Sequence, residues 1–124
     1  MILCIDDEPL GLRVRKFLLE HAGYSVLTAE GGREGLELFS AHAVEAVVLD
    51  YAMPEMNGAE VAQEMKRRNP AVPILMLSAY VDLPDDALRY VDARALKGES
   101  PSGLLIELSK LISGSTQSRP ASVS

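Results

Sequence analysis

Short apolar runs alternate with longer amphipathic stretches along this chain, and that alternation limits what it can fold into. Ile2 to Ile5 reads as a buried strand. Leu10, Val14, Phe17, Leu18 and His21 then recur at helical spacing, with Arg13, Arg15 and Lys16 between them. Gly23 ends that helix, and Tyr24 to Thr28 reads as a second strand. Gly32 to Ala41 is a predicted helix with Leu36 and Phe39 inward. Ala46 to Leu49 is apolar throughout, as a strand covered on both faces should be. Asn57 to Arg68 is a predicted helix with Val61 and Met65 inward and a Glu64–Arg68 pair one turn apart. Pro73 to Leu77 is a fourth strand, its proline tolerated at the first position. A weaker helix is expected over Asp82 to Asp92, then a short strand over Ala93 to Leu96. Ser100-Pro101 reads as a cap and first residue of a last helix, with Leu104, Leu108, Leu111 and Ile112 inward and Gly114 as its stop. Strand and helix alternate five times, the pattern of an α/β fold with a parallel sheet and helices on both faces.

A chain of 124 residues is one domain on ordinary size grounds, and 48% hydrophobic content is enough for a core without metal or disulfide support. Residues 1-113 read as the domain, and the polar, aperiodic stretch 114-124 as a disordered tail or the root of a linker. With Cys4 the lone cysteine, no disulfide can close within the chain, which fits a reducing cytoplasm. The apolar runs fall well short of the ~18 residues of a membrane span. A formal net charge of -6 argues against direct nucleic-acid binding and against docking on anionic lipid.

Ligands of an open parallel sheet sit beyond the carboxyl ends of its strands. Asp6 and Asp7 end the first strand, Asp50 the third, Ser78 the fourth and Lys97 the fifth. A doubly wound sheet sets strands one, three, four and five side by side, so these residues converge on one crevice. Three carboxylates placed together repel, and a hard divalent cation with oxygen ligands relieves the repulsion. Mg2+ suits such a set, together with a backbone carbonyl, waters and phosphate oxygens. A phosphoryl group brought to the metal would meet Asp50 as nucleophile, with Lys97 and the Ser78 hydroxyl to stabilise its charge.

These residues also resemble a known family. Ile5-Asp6-Asp7-Glu8-Pro9, the Asp50-Tyr51-Ala52-Met53-Pro54-Glu55-Met56-Asn57-Gly58 stretch, Leu77-Ser78-Ala79 and Lys97 look like the receiver domain of two-component response regulators, over residues 1 to about 113. The resemblance implies a flavodoxin-like doubly wound fold with a five-stranded parallel sheet in the order 2-1-3-4-5. It implies a phosphorylation-dependent switch in a phosphorelay, with Asp50 receiving its phosphoryl group from a histidine kinase or histidine phosphotransferase. Asp7, Asp50 and the backbone carbonyl of Ala52 would ligate Mg2+, and Asp6 would hold a metal-bound water. Ser78 would swing toward the phosphoryl group and Lys97 would pair with it. Such a domain is not a turnover enzyme; it catalyses its own phosphorylation and dephosphorylation. A downstream protein or a fused output domain would read the signal, and a homodimer is left open.

This chain departs from the family pattern in three places. Gly98 follows Lys97 where the family has proline, often cis. A cis bond to a non-proline residue costs roughly 3 kcal/mol, so a trans peptide or a strained loop is expected. Arg94 stands where a switch aromatic would lie, three residues before the lysine. The Ser78–Lys97 span is shorter than usual by about one helical turn, so the segment between is expected to be trimmed. The output face would be formed around Arg89, Tyr90 and Arg94.

Other readings compete with the switch. A binding module that keeps the fold and no longer needs phosphate is favoured slightly by the missing aromatic and the shortened fourth helix, while the intact acidic pair, Asp50, Ser78 and Lys97 weigh against it. A flavin-binding relative would need a Ser/Thr/Gly-rich loop after the first strand, and Asp6-Asp7-Glu8-Pro9 stands there instead. A phosphatase with an aspartyl nucleophile would need an Asp-x-Asp pattern, which is absent. Cys4 reads as a buried, inert thiol, His21 and His42 as surface or cap residues, and Tyr80 as a residue at the crevice mouth that restricts water.

Overall fold

The computed structural model describes residues 1–118. Its strands are β1 (Ile2–Ile5), β2 (Val26–Ala29), β3 (Ala46–Asp50), β4 (Ile74–Ser78) and β5 (Ala93–Leu96). Its α-helices are α1 (Pro9–His21), α2 (Gly32–Ala41), α3 (Gly58–Arg68) and α4 (Pro101–Ser118). The strands form one parallel sheet in the order β2-β1-β3-β4-β5. This is the doubly wound, flavodoxin-like arrangement that the alternation and the resemblance call for.

Side chains alternate across each strand, so the sheet sorts its residues between two cores. Leu3, Ile5, Val47, Leu49 and Ile74 pack with Leu36, Phe39, Val61 and Met65 of α2 and α3. Ile2, Cys4, Val48, Leu75 and Leu77 pack with Leu12, Leu19 and Leu108 of α1 and α4. The central strands β1, β3 and β4 are buried along their whole length, the reason their sequences are apolar up to the Asp50 and Ser78 that end β3 and β4. Cys4 is fully buried, and desolvation pushes its thiol up to about 12, so it is an inert core residue.

Three local expectations change. The stripe read on α1 turns out to be its outer face: Leu10 and Phe17 are 71% and 67% exposed, while Leu12 and Leu19 are the buried residues. Periodicity reveals a helix, but a helix with apolar residues on two sides does not reveal which side meets the sheet. The weak helix expected over Asp82 to Asp92 contracts to a 3₁₀ turn at Asp85–Leu88, with Ala87 its buried residue. So short a segment, begun by proline and two aspartates, cannot offset the cost of helix nucleation by burial. Helix α4 runs through Gly114, where a stop was expected, to Ser118. The rest of the expected tail, 119–124, lies outside the described residues.

Lys97 and Gly98 are joined by a trans bond, since no cis peptide occurs among the described residues. Gly98 instead takes φ +91°, a conformation open to glycine and strained for other residues. The chain thus leaves β5 by a glycine turn in place of a cis-proline turn.

Candidate functional site

Side-chain alternation carries past the strand ends and builds the site. Cys4 and Val48 face α1 and α4, so Asp6 and Asp50, two residues further on, face the same way. Ala93 and Ala95 of β5 share that face, and so does Lys97. The three groups meet there. Lys97 Nζ lies 2.9 Å from Asp50 Oδ1 and 3.0 Å from Asp6 Oδ2, with Glu8 Oε1 more distant at 3.5 Å. Asp6 and Asp50 are 1% and 2% exposed, while Asp7 stands open to solvent. Carboxylate oxygens from Asp6, Asp7 and Asp50 lie within 4.8 Å of one another.

This environment drives the two buried carboxyls apart. Burial raises Asp50 to about 6, against the lowering effect of its Lys97 hydrogen bond, and the Asp6 and Asp7 charges add to the rise. Asp6 is held below the usual carboxylate range: burial works against its charge, but the Glu8 N–H at 2.9 Å, Lys97 and Arg15 outweigh it. For Lys97, burial favours the neutral amine, and the hydrogen bonds to Asp50 and Asp6 overcome this to raise its pKa.

Ser78 is buried beside this cluster with its hydroxyl turned to its own loop. Its Oγ accepts from the Tyr80 N–H at 2.9 Å and lies 3.0 Å from the Tyr80 carbonyl. The Lys97 N–H donates to the Ser78 carbonyl at 2.8 Å, which fixes the two residues on adjacent strands. Ala52 and Tyr80 are both exposed, in the loops after β3 and β4. Arg94 is exposed on β5 and donates to the Val81 carbonyl, so a polar contact ties β5 to the loop after Ser78. Arg89 is exposed and lies over the half-buried Tyr90 ring.

Two residues make contacts at this site that the sequence reading did not assign: Gly58, quoted there only as the end of the motif, and Arg15. Gly58 begins α3 directly against Asp50: a Cβ there would lie 2.5 Å from the Asp50 carbonyl oxygen. The Asn57–Glu60 capping box holds that helix start in place, and the Gly58 N–H donates to the Tyr51 carbonyl at 2.8 Å. Arg15 of α1, read as one of the cations between apolar positions, forms an ion pair with Asp6. Its place between Leu12 and Leu19 on the buried face was the signal available in the sequence.

The donor set is all oxygen and predominantly anionic, which fits a hard divalent cation such as Mg2+ and suits soft metals poorly. Among the described residues, no helix is long and apolar enough to cross a membrane.

The family model for the response regulator receiver domain matches residues 2–97. The chain is 37% identical over 84 residues to the transcriptional regulatory protein GlrR of Escherichia coli K12, a match covering 68% of this chain and 19% of GlrR. It thus spans well under half the length of that relative. The fold matches a CheY-like receiver domain protein of Methanospirillum hungatei with TM-score 0.90 and 26% identity, over 94% of this chain and 96% of that one. It also matches the response regulator TrrA of Thermotoga maritima in complex with Mg2+ and BeF, with TM-score 0.85 and 33% identity, over 89% and 96% of the two chains. TrrA has been solved bound to the histidine kinase ThkA as well, and there the TM-score is 0.82. With its motifs in order, its sheet in the matching topology and the family model spanning most of its length, the chain belongs to the response regulator receiver domain family, a signalling domain of two-component systems.

Proposed function

We propose that this domain accepts a phosphoryl group on Asp50 from a histidine kinase or histidine phosphotransferase, with Mg2+ held by Asp7, Asp50 and the Ala52 carbonyl and, through water, by Asp6. The observation that carries the reading is the Lys97 ammonium between the buried Asp6 and Asp50, at 3.0 and 2.9 Å, beside the exposed Asp7. A lysine that neutralises two buried acids also lies ready to pair with the phosphoryl oxygens. An Asp50 oxygen attacks phosphorus, and the bond to the donor nitrogen breaks with its electron pair leaving on the donor. Bound Mg2+ would supply positive charge to the phosphoryl oxygens. Ser78 would exchange its Tyr80 contacts for the new anion, and the loop after β4 would move with it. TrrA, with its Mg2+–BeF complex and its kinase complex, supports both the cofactor and the kind of partner.

A phosphodonor must dock beside the mouth of the site. The exposed apolar residues Leu10, Val14 and Phe17 of α1 begin three positions after Asp7 and offer that surface. A downstream partner or a fused output domain would read the face of β5 and the 3₁₀ turn. The domain changes state and does not turn over a pool of substrate, and a cytoplasmic location goes with this reading.

Incubation with Mg2+ and acetyl phosphate, followed by intact mass, tests the proposal. One phosphoryl mass is expected on the wild type and none on Asp50→Asn. No gain on a protein that binds Mg2+ would instead support a binding module that works without phosphate. Arg94 favours that second reading, because it already holds the Val81 loop by a contact that needs no phosphoryl group.

A further inference from the structure

We propose that Arg15 is a built-in counter-ion of the acidic cluster that Mg2+ must compete with, so that it sets the metal affinity of this domain. The inference rests on the metal reading given above. Arg15 comes from α1 and not from a strand end, and its side chain is 14% exposed. It pairs with Asp6 Oδ2, the oxygen that Lys97 also approaches at 3.0 Å. The other Asp6 oxygen accepts from the Glu8 N–H. Both oxygens of Asp6 are therefore engaged before a metal or its water arrives.

The local sequence makes room for this contact. Arg15 folds back along α1 toward the strand end, over Gly11, where a Cβ would sit 3.2 Å from the guanidinium. Glycine inside a helix is less favourable than alanine, and here it leaves the path of the arginine open. Once released from Asp6, the guanidinium has somewhere to go. A groove of about 820 Å³ beside α1 and α4 has the carboxylates of Glu8, Glu99 and Glu107 in its lining, along with the cations of Lys97 and Arg94.

Charge decides the direction of the effect. The site holds Asp6, Asp7 and Asp50 against Lys97 and Arg15. Removing Arg15 takes away a full positive charge next to the position where a divalent cation would bind, and it leaves Asp6 Oδ2 with Lys97 as its one remaining cation. Both changes favour the metal. Arg15 also keeps Asp6 paired in the metal-free protein, so the domain tolerates an empty acidic cluster at the expense of affinity.

Isothermal titration of the intact chain with MgCl2 tests the proposal, with folding of each variant checked by circular dichroism. Arg15→Met keeps the aliphatic stem and removes the charge; it is expected to bind Mg2+ about tenfold more tightly than the wild type. Arg15→Lys keeps the charge and is expected to restore weaker binding. In an Asp6→Asn background the Arg15→Met effect should shrink to less than threefold, because the shared carboxylate is gone. Equal or weaker binding by Arg15→Met would overturn the inference, and so would equal tightening by Arg15→Lys, which would point to packing. A wild type that binds while Arg15→Met shows no gain would sink this inference and leave the proposed function standing. If neither protein bound Mg2+, both would fail.

Discussion

Gly58 approaches Asp50 so closely that a Cβ on it would stand 2.5 Å from the Asp50 carbonyl oxygen and 2.9 Å from Tyr51 Cα. The first residue of α3 is therefore pressed against the backbone that carries the proposed phosphoacceptor. Two effects of Gly58→Ala oppose each other. Helix propensity alone favours alanine by up to ~1 kcal/mol. The clash is with main chain, which cannot rotate away, and overpacking of this kind costs ~1–3 kcal/mol. We expect the clash to win, with a net loss of ~1–2 kcal/mol in urea denaturation and slower phosphorylation of Asp50. A stabilised variant would show that the α3 start can shift freely.

Asp50 must be ionised to attack phosphorus, and burial lifts its pKa from 3.8 to about 6. The metal-free carboxylate is thus charged above about pH 6 and protonated below it. The rate of phosphorylation by acetyl phosphate, at subsaturating Mg2+, should fall as pH drops through 6. Saturating Mg2+ should move that fall to lower pH, since a bound cation favours the carboxylate. A rate that stays level down to pH 4.5 without saturating metal would contradict the raised pKa.

The same shift has a consequence for stability. A carboxyl with a raised folded pKa binds more protons folded than unfolded between about pH 4 and 6, so its contribution to stability falls as pH rises across that window. Above pH 6 the full penalty of the buried charge is present. Asp50→Asn removes it and should stabilise the metal-free protein by about 3 kcal/mol at pH 7, with little effect at pH 4. Asp6 acts in the opposite sense: its folded pKa is lowered, so it contributes stability above the unfolded value, and this is lost as pH falls through the folded one. Thermal melts of wild type and Asp50→Asn across pH 4–8 in EDTA measure the difference between them.

Arg94 donates to the Val81 carbonyl, and this contact bridges the strand next to Lys97 and the loop next to Ser78. Arg94→Ala should cost less than ~1 kcal/mol in overall stability, because the pair is solvent-exposed. Its effect should be local: amide exchange at Tyr80, Val81 and Asp82 should speed up several-fold, while β4 amides stay protected. Unchanged exchange in the loop would mean that Arg94 holds nothing there.

Adding Mg2+ to the wild type should stabilise it by an amount that grows with the logarithm of concentration, reaching about 2.7 kcal/mol at a hundredfold excess over Kd. EDTA should reverse the gain. Asp7→Asn should abolish most of it, and a melt of that variant that still responds fully to Mg2+ would move the metal elsewhere.

Much of this protein is legible in its sequence because the doubly wound sheet is written locally. Buried central strands are apolar runs, and the residues at or just past their carboxyl ends are placed by strand geometry, so Asp6, Asp50, Ser78 and Lys97 could be gathered from pattern alone. What tertiary structure decided is of another kind. The phase of α1 depends on which of two apolar stripes meets the sheet, and Leu12 and Leu19 win because Cys4, Val48 and Leu77 complete a core with them. The 3₁₀ turn at Asp85–Leu88 has Ala87 as its buried residue, in place of the helix expected over Asp82 to Asp92. The contacts of Gly58 with Asp50 and of Arg15 with Asp6 depend on helix docking distances that spacing along the chain does not contain. The sequence by itself determined which groups stand at the strand ends; only packing decided that an arginine from a helix stands among them, because a charge on a helix meets either solvent or the site according to that helix's rotation about its own axis.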